Sequence, residues 1–210
     1  MNITDVCNMS LAYLGKGRIA SIDEQTEQAR QCKLFYEYTK QRLLREYTWG
    51  FAKRIVQLAE LDTVNPFYRY VYAYPNECVC VKRIFECQDI LDDEERVRKV
   101  AVVDYTEAKR EKYEVYMVSD NVRGIGCDVD KAWCEYVYDV VDLNICSSDF
   151  IEALTHMLAY EMALALTGNM QLKNSEYQQA MAVLDRAKYT SAAEAHKEIK
   201  RSQGYFDARA

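Results

Sequence analysis

The chain has 210 residues, half of them apolar, with only two prolines and seven glycines. This length and composition exclude a disordered linker and predict one large or two small folded domains. The formal net charge is −6, and residues 120–149 carry seven acids against two bases, so that stretch offers no cationic surface for the phosphates of nucleic acids.

The first 52 residues read as two helices joined by a turn and closed by aromatic residues. Thr4-Asp5 is expected to cap a first helix that runs to about Leu14, where glycines end it. Apolar residues spaced three and four apart predict a second helix from about Glu24 to Glu46. Trp49 then opens a region of different character.

From Trp49 to about Asp142, alternating apolar residues rich in valine and tyrosine predict strands. The predicted strands are Phe51–Leu61, Arg69–Tyr74, Cys78–Phe85, Lys99–Asp104, Glu114–Val118 and Trp133–Val141. The charged stretches 92–96 and 107–112 are interpreted as solvated loops or hairpin tips. Gly124-Ile125-Gly126 is interpreted as a turn rather than a phosphate-binding loop.

Two further helices are predicted in the last third of the chain. The first runs from Phe150 to Leu166, with Asp149 and Glu152 as its capping pair, and its apolar residues on nearly every face favour the centre of a bundle. The second runs from about Leu172 to Ile199. The fold expected is α+β: a bundle of about four helices formed by residues 1–48 and 149–201, a β-rich antiparallel insertion at 49–148, and a tail at 202–210, in one compact domain.

Eight cysteines occur without a Cys-x-x-Cys pair, and no basic and then apolar run opens the chain. We therefore expect no secretory signal, synthesis in a cytosol, and reduced, mostly buried thiols. Cys78 and Cys80 are expected on one face of their strand. Without a second pair or a nearby histidine they do not indicate zinc, so no metal and no cofactor is predicted.

The residues that carry chemistry do not form a recognisable catalytic set. The histidines, His156 and His196, have no Cys, Ser or acid at a catalytic spacing. The paired acids lie in solvated charge runs, where nothing separates an acid from a base. We predict no catalytic residue and no enzymatic activity.

The chain resembles the head-to-tail adaptor family of tailed phages, which includes the tail tubular protein A of short-tailed phages. The resemblance covers most of the chain and is strongest in residues 1–52 and 149–187. The resembling residues are Asn8, Leu11, Leu14-Gly15, Arg18-Ile19, Ser21-Ile22, Ala29, Leu44-Arg45, Trp49, Phe51-Ala52, Tyr74-Pro75, Phe150, Leu154, Leu158-Ala159, Glu161-Met162-Ala163, Gly168, Tyr177 and Ala187. Departures are Ser10, where the family pattern has Ala, and Asn76-Glu77, where it prefers a small residue and Asp; residues 86–129 match little.

This resemblance implies a structural virion protein at the head–tail junction, made in the host cytoplasm. Its subunits would form a ring, typically of twelve copies, beneath the portal protein, extend the DNA channel without sequence-specific binding, and dock the next tail component, a nozzle or tail tube protein. Independently of the resemblance, no membrane contact is expected, because the apolar run of the third helix is short and carries Glu152, His156 and Glu161. A ring interface needs two different complementary faces on each subunit.

Candidate residues for these contacts follow from position and type. The portal-interface candidates are Tyr205, Phe206 and Arg209 of the tail, for which a frayed chain end is the alternative. The subunit-interface candidates on the last helix are Tyr177, Met181 and Leu184, for which packing within the bundle of the same chain is the alternative. The channel-facing acidic candidates are Asp128, Asp130, Asp139 and Asp142. In a channel wall these acids would act by repelling DNA. The alternative for this last group is a solvated acidic face.

Two other functions remain open from the sequence. One is a cytosolic helical scaffolding or regulatory module without catalytic activity. The other is a lytic enzyme carried in a tail, which would need Glu152 and Glu161, the acids of the apolar helix, in a cleft.

Overall fold

The computed structural model describes residues 1–91, 97–102 and 111–194. Helices lie at both ends of the chain and antiparallel strands in the middle, which confirms the α+β class. The helices are α1 (Ile3–Tyr13), α2 (Glu27–Glu46), α3 (Ser148–Thr167) and α4 (Met170–Glu194). The strands are β1 (Lys53–Gln57), β2 (Tyr70–Ala73), β3 (Cys78–Leu91), β4 (Val97–Val102), β5 (Tyr113–Ser119), β6 (Val122–Cys127) and β7 (Trp133–Tyr138).

Helix α1 begins earlier than the sequence predicts because a different residue caps it. The side chain of Asn2 accepts the N–H of Asp5 at 2.8 Å, and the Asp5 carboxylate accepts the N–H of Asn2 at 2.8 Å. This reciprocal pair satisfies two N–H groups that have no partner within the helix. The prediction of Thr4-Asp5 as the cap is therefore wrong by two residues, although Asp5 takes part in the capping.

The starts of α2 and α3 also follow from hydroxyl caps. Thr26 accepts the backbone N–H three residues on at 3.3 Å, so α2 starts after it rather than at Glu24. Ser147 accepts in the same way at 3.3 Å and begins α3. The predicted capping pair of Asp149 and Glu152 is therefore wrong, and these two carboxylates lie beyond the cap, in and just past the first turn.

Helix α3 is the centre of the bundle, as its nearly uniform apolar composition predicts. It packs against α1, α2 and α4, and its side chains from Phe150 to Ala163 are mostly removed from solvent. At its end, Gly168 adopts φ +66° and its N–H is donated to the carbonyl of Leu164 at 3.0 Å. This left-handed residue ends α3 and lets α4 fold back along it.

The strands form two antiparallel sheets with a second apolar cluster between them. Their orders are β1-β7-β3-β4 and β2-β6-β5. The buried residues of this cluster are Leu58, Tyr72, Ile84, Ile125, Cys127, Val129, Ala132, Cys134 and Tyr136. Strand β3 is long because its first half pairs with β7 and its second half, from Glu86, pairs with β4.

Strand β6 contradicts the interpretation of Gly124-Ile125-Gly126 as a turn. It is the central strand of the three-stranded sheet, and Ile125 is fully buried. A Cβ atom at Gly126 would lie 2.6 Å from the ring atom Cδ2 of Tyr68, and one at Gly124 would collide with Val118. The glycines are therefore explained by neighbouring side chains that lie directly on the strand.

The expectation that Cys78 and Cys80 share a face is also wrong. The register of β3 against β7 shifts between these two residues, which marks a β-bulge. As a result Cys78 packs against the cluster between the sheets, whereas Cys80 packs against the other apolar cluster, which forms the core of the helical bundle. A bulge of one residue reverses the alternation on which the expectation rested.

The remaining strand predictions are right in place and differ at their ends. The predicted strand 51–61 is reduced to β1, since Gly50–Ala52 forms a 3₁₀ turn. The charged stretch 92–96, residues 107–110 of the second charged stretch, and the last five predicted residues of α4 lie outside the described residues. Glu111 and Lys112 are exposed and lie before β5.

The helical and β parts meet at one end of β7. Val137, Val140 and Leu143 belong to the helical apolar cluster, and Val79 packs against it. The strands lie within residues 49–148, but the apolar core of the helical bundle also includes residues of this range, from Val137 to Leu143.

Candidate assembly surfaces

The loop after α1 is held by one asparagine. Asn8 donates from Nδ2 to the carbonyl of Ile19 at 3.0 Å and accepts the N–H of Ile19 on Oδ1 at 2.8 Å. Gly15 turns the chain between them with φ +65°. An amide side chain is suited to this pairing because it carries both a donor and an acceptor. Asn8, Gly15 and Ile19 are all among the residues that carry the family resemblance.

An aromatic cluster closes the junction of α2, the 3₁₀ turn and α3. Trp49 is fully buried and donates its indole N–H to the carbonyl of Leu43 at 3.0 Å. Its ring meets that of Phe150 edge to face at 5.1 Å, and Phe51 meets Phe150 at the same distance. Edge-to-face geometry is favourable between aromatic rings, so these three residues fix how α2 and α3 approach each other.

A buried lysine ties α2 to the segment that follows β7. The side chain of Lys40 is 6% exposed, and its ammonium lies 2.9 Å from Glu37 and 2.9 Å from Asp139. It also donates to the carbonyl of Val140 at 3.1 Å. Burial acts to lower the pKa of Lys40, but the two carboxylates outweigh it and the pKa is raised, so the lysine stays charged.

A buried acid–base pair joins α3 to α4. Nδ1 of His156 lies 2.7 Å from a carboxylate oxygen of Glu176, with side chains 13% and 9% exposed. Tyr13 of α1 stacks on the imidazole at 4.1 Å with an interplanar angle of 4°. The sequence does not predict this partner of His156, because Glu176 is twenty residues away on a polar helix. One ring face and Nδ1 of His156 thus make contacts within the bundle.

The acids that the lytic-enzyme hypothesis requires also have partners. Glu161 accepts from Arg42 at 3.1 Å, and Glu152 accepts from Arg186 at 2.6 Å. Both pairs link neighbouring helices. This arrangement joins α3 to α2 and to α4 by charge as well as by apolar contact.

The four channel-facing acidic candidates lie in two pairs at opposite ends of β7. Asp128 and Asp130 precede the strand and are exposed; Asp128 accepts the N–H of Arg69 at 3.0 Å. Asp139 and Asp142 follow it. Asp139 is bound by Lys40, and Asp142 accepts the N–H and side-chain amide of Asn144, which lowers the pKa of Asp142. Six strand residues, about 20 Å, separate the pairs, so the described structure does not bring the four acids into one surface.

The three subunit-interface candidates differ in what they offer to a neighbour. Leu184 is 1% exposed and packs inside the bundle of its own chain. Met181 is half-buried, whereas Tyr177 is 39% exposed and its ring contacts Tyr160 at 5.1 Å. Only Tyr177 and Met181 therefore present surface beyond the chain. The portal-interface candidates Tyr205, Phe206 and Arg209 lie outside the described residues.

Two surface cavities are lined by mixed residues. The larger, about 510 Å³, lies beside Trp133, Lys99 and Asp130, and the smaller, about 300 Å³, lies between Phe51 and the last turns of α4. Within residues 1–91, 97–102 and 111–194, no group of three or more His, Cys, Asp or Glu side chains could hold a metal ion. Across those same ranges, no helix is long and apolar enough to cross a membrane.

All eight cysteines are free thiols, four buried and four half-buried. Burial raises the pKa of Cys134 to about 12 and that of Cys146 to about 11. A raised pKa keeps a thiol protonated and weakly nucleophilic at neutral pH. These two thiols therefore act as packing groups, in the way that the sequence predicts for the cysteines.

Comparison of the chain with protein-family models and with curated proteins gives no match.

Proposed function

We propose that the chain is a head-to-tail adaptor of a tailed phage, a structural subunit of a ring beneath the portal. The observation that carries this proposal is where the resembling residues lie. Those at the heart of the resemblance occupy one continuous apolar cluster that joins α1, α2, the 3₁₀ turn and α3. They are Leu11, Leu14, Ile19, Ala29, Leu44, Trp49, Ala52, Phe150, Leu154, Leu158, Ala159, Met162, Ala163 and Ala187.

The polar members of the resemblance support the same conclusion. Asn8 holds the backbone of Ile19, Arg45 donates to the carbonyl of Val79 at 3.1 Å, and Glu161 pairs with Arg42. Each of these side chains bridges two elements of the fold. A resemblance made of such residues concerns the fold of the subunit, and the adaptor role is proposed by analogy with the family that it resembles.

The charges also fit a wall along which DNA passes without being bound. Because Lys40 binds Asp139, Asp142 is the one exposed acidic candidate at that end of β7, whereas both candidates at the other end, Asp128 and Asp130, are exposed. Exposed carboxylates repel the phosphate backbone and reduce its adhesion. In the ring, we assign the channel-facing role to this end of the β part rather than to Asp142 and its neighbours.

The experiment that tests the proposal is the native mass of the chain, alone and mixed with the portal protein encoded in the same genome. A discrete, portal-dependent ring of about a dozen copies is expected. A chain that stays monomeric and does not bind the portal would overturn the adaptor proposal and favour the scaffolding module.

A second experiment tests the tail. Deletion of Ser202–Ala210 is expected to weaken portal binding while the circular dichroism spectrum and melting temperature stay unchanged. The matched control is the full-length chain with Leu34→Ala, which changes an exposed side chain on α2. Unchanged portal affinity after the deletion would remove Tyr205, Phe206 and Arg209 from the portal contact and leave the ring itself to be judged by the first experiment.

A further inference from the structure

The outward face of α4 carries no charge over its first three and a half turns. Its exposed residues from Met170 to Ala182 are Met170, Gln171, Asn174, Ser175, Tyr177, Gln178, Gln179 and Ala182. The charged residues in this range are withdrawn from that face: buried Glu176 binds His156, and half-buried Lys173 holds its ammonium 4.8 Å from the ring centre of Tyr160. In a chain of which 29% is charged, a solvated helix face is expected to carry charges.

Helix α2 shows the usual pattern and makes the contrast clear. Its exposed residues include Arg30, Lys33, Glu37 and Arg45, so a charge occurs at almost every turn. Uncharged polar and small residues in place of such charges are typical of a surface that another protein covers, because burying an unpaired charge is costly.

The chemistry of the α4 face is complementary to itself. Each glutamine or asparagine amide both donates and accepts hydrogen bonds, so an amide surface satisfies a second amide surface without any opposite charge. Two copies that each carry −6 repel one another at charged surfaces. A charge-free face is where they come together at least cost.

The spacing along this face also fits a second copy. Gln171, Ser175, Gln178 and Ala182 follow each other at intervals of four, three and four, which forms a straight seam on the helix. Large and small side chains alternate along it. When two such helices run antiparallel, with Ser175 opposite Gln178 of the other copy, Gln171 also lies opposite Ala182, so each large side chain meets a small one.

We propose that the Gln171–Ala182 face of α4 pairs with the same face of a second copy, antiparallel, about a two-fold axis near residues 176 and 177. In a ring with rotational symmetry alone, neighbouring subunits use two different surfaces. The two-fold pair is therefore a state of the free chain, and it does not depend on the adaptor role. A single helix face is smaller than the ~800 Å² per partner of a standard interface, so the pair is weak, with a dissociation constant on the order of 100 µM.

Sedimentation equilibrium of the full chain without portal, from 5 µM to 1 mM, tests this pairing. The wild-type mass is expected to rise from one copy towards two. Gln178→Glu and Ser175→Lys each place a like charge near its symmetry mate, and each is expected to weaken pairing at least tenfold. The control Leu34→Glu adds the same charge as Gln178→Glu to the exposed face of α2 and leaves the pairing unchanged.

Mixing the two variants tests the antiparallel geometry. In a mixed pair, Lys at position 175 of one copy faces Glu at position 178 of the other, so an equimolar mixture is expected to associate at least as well as the wild type. A wild-type chain that stays monomeric at 1 mM, equal weakening by Leu34→Glu, or a mixture that associates no better than its components would each overturn the proposal. None of these results alters the portal experiment, which is read from a different complex.

Discussion

Replacing Lys40 with methionine is expected to destabilise the fold far more than the same change at Lys33. Both lysines lie on α2 and both contact a carboxylate closely, Lys40 at 2.9 Å and Lys33 at 2.7 Å from Asp23. They differ in burial and in the number of partners: the Lys40 side chain is 6% exposed and contacts two carboxylates and a carbonyl, whereas the side chains of Lys33 and its partner Asp23 are 66% and 72% exposed. Distance is thus held nearly constant while solvent screening changes.

The magnitude follows from what each substitution leaves behind. Removing the Lys40 ammonium takes this donor from the carbonyl of Val140 and leaves the partly buried Asp139, 26% exposed, with the neutral side-chain amide of Gln41 at 3.0 Å in place of a cation. Loss of a charge-assisted hydrogen bond and an unpaired carboxylate at this depth cost about 2–3 kcal/mol. An exposed pair such as Lys33 with Asp23 contributes about 0–1 kcal/mol.

Urea unfolding followed by tryptophan fluorescence measures both free energies of unfolding. The pKa of Lys40 is raised in the folded state, so its contribution is fully present below the pKa of the unfolded lysine and is lost as pH rises through the folded pKa. The difference between wild type and Lys40→Met is therefore expected to be constant from pH 6 to 9 and to shrink above about pH 10.5. Equal effects of the two substitutions at pH 7 would refute the role given to burial.

Three further substitutions test the packing of the fold. Trp49→Phe removes a buried indole N–H bond and part of a ring, and is expected to cost about 2–3 kcal/mol by urea unfolding. Gly126→Ala places a Cβ against the ring of Tyr68 and is expected to cost about 1–3 kcal/mol. The control Gly17→Ala, with nothing within 4 Å of its Cβ, is expected to be neutral or slightly stabilising. Thermal unfolding measures both variants. Asn8→Ala removes both bonds to the backbone after α1 and is expected to cost about 2 kcal/mol, with faster amide hydrogen exchange in that loop; unchanged exchange there would contradict the bracing role.

The helices were predictable in number, order and approximate length because their signals are local. The apolar spacing of α2 and the uniformly apolar α3 needed no knowledge of partners. Their first residues were harder to predict, since several Ser, Thr, Asn and Asp residues compete for each cap and the choice depends on geometry. The N-caps are Asn2 and Ser147 rather than the predicted Thr4 and Asp149.

The strand predictions were wrong where contacts with residues distant in sequence determine the local structure. Gly124 and Gly126 carry a turn signal in isolation, and only the side chains that fold onto them from Tyr68 and Val118 explain glycine in a central strand. The bulge between Cys78 and Cys80 is likewise set by pairing with β7. Pairings such as His156 with Glu176 have no periodic signal at all, because they join residues whose proximity is created by the fold.

The candidate surfaces divide along the same line. Residue type and helix position made α4 a candidate for an interface, but a stripe of this kind is also expected inside a bundle, and only the structure places Leu184 there. The exposed face of α4, with Gln171, Ser175 and Gln178, has no apolar pattern that would indicate an interface in the sequence. A face without charge is informative only once the structure establishes that it is exposed.

The Lys40 junction connects these surfaces mechanically. The helical cluster reaches the β part through Val137 and Val140 at one end of β7, and Lys40 binds Asp139 between them. The α4 face lies on the helical side of this contact, and Asp128 and Asp130 lie beyond the far end of β7. The relative position of the two ends of the subunit depends on this contact, because a small rotation at the junction is amplified along the ~20 Å of the strand. A saturated, buried cation with three partners provides that rigidity better than apolar contact alone, since its hydrogen bonds are directional.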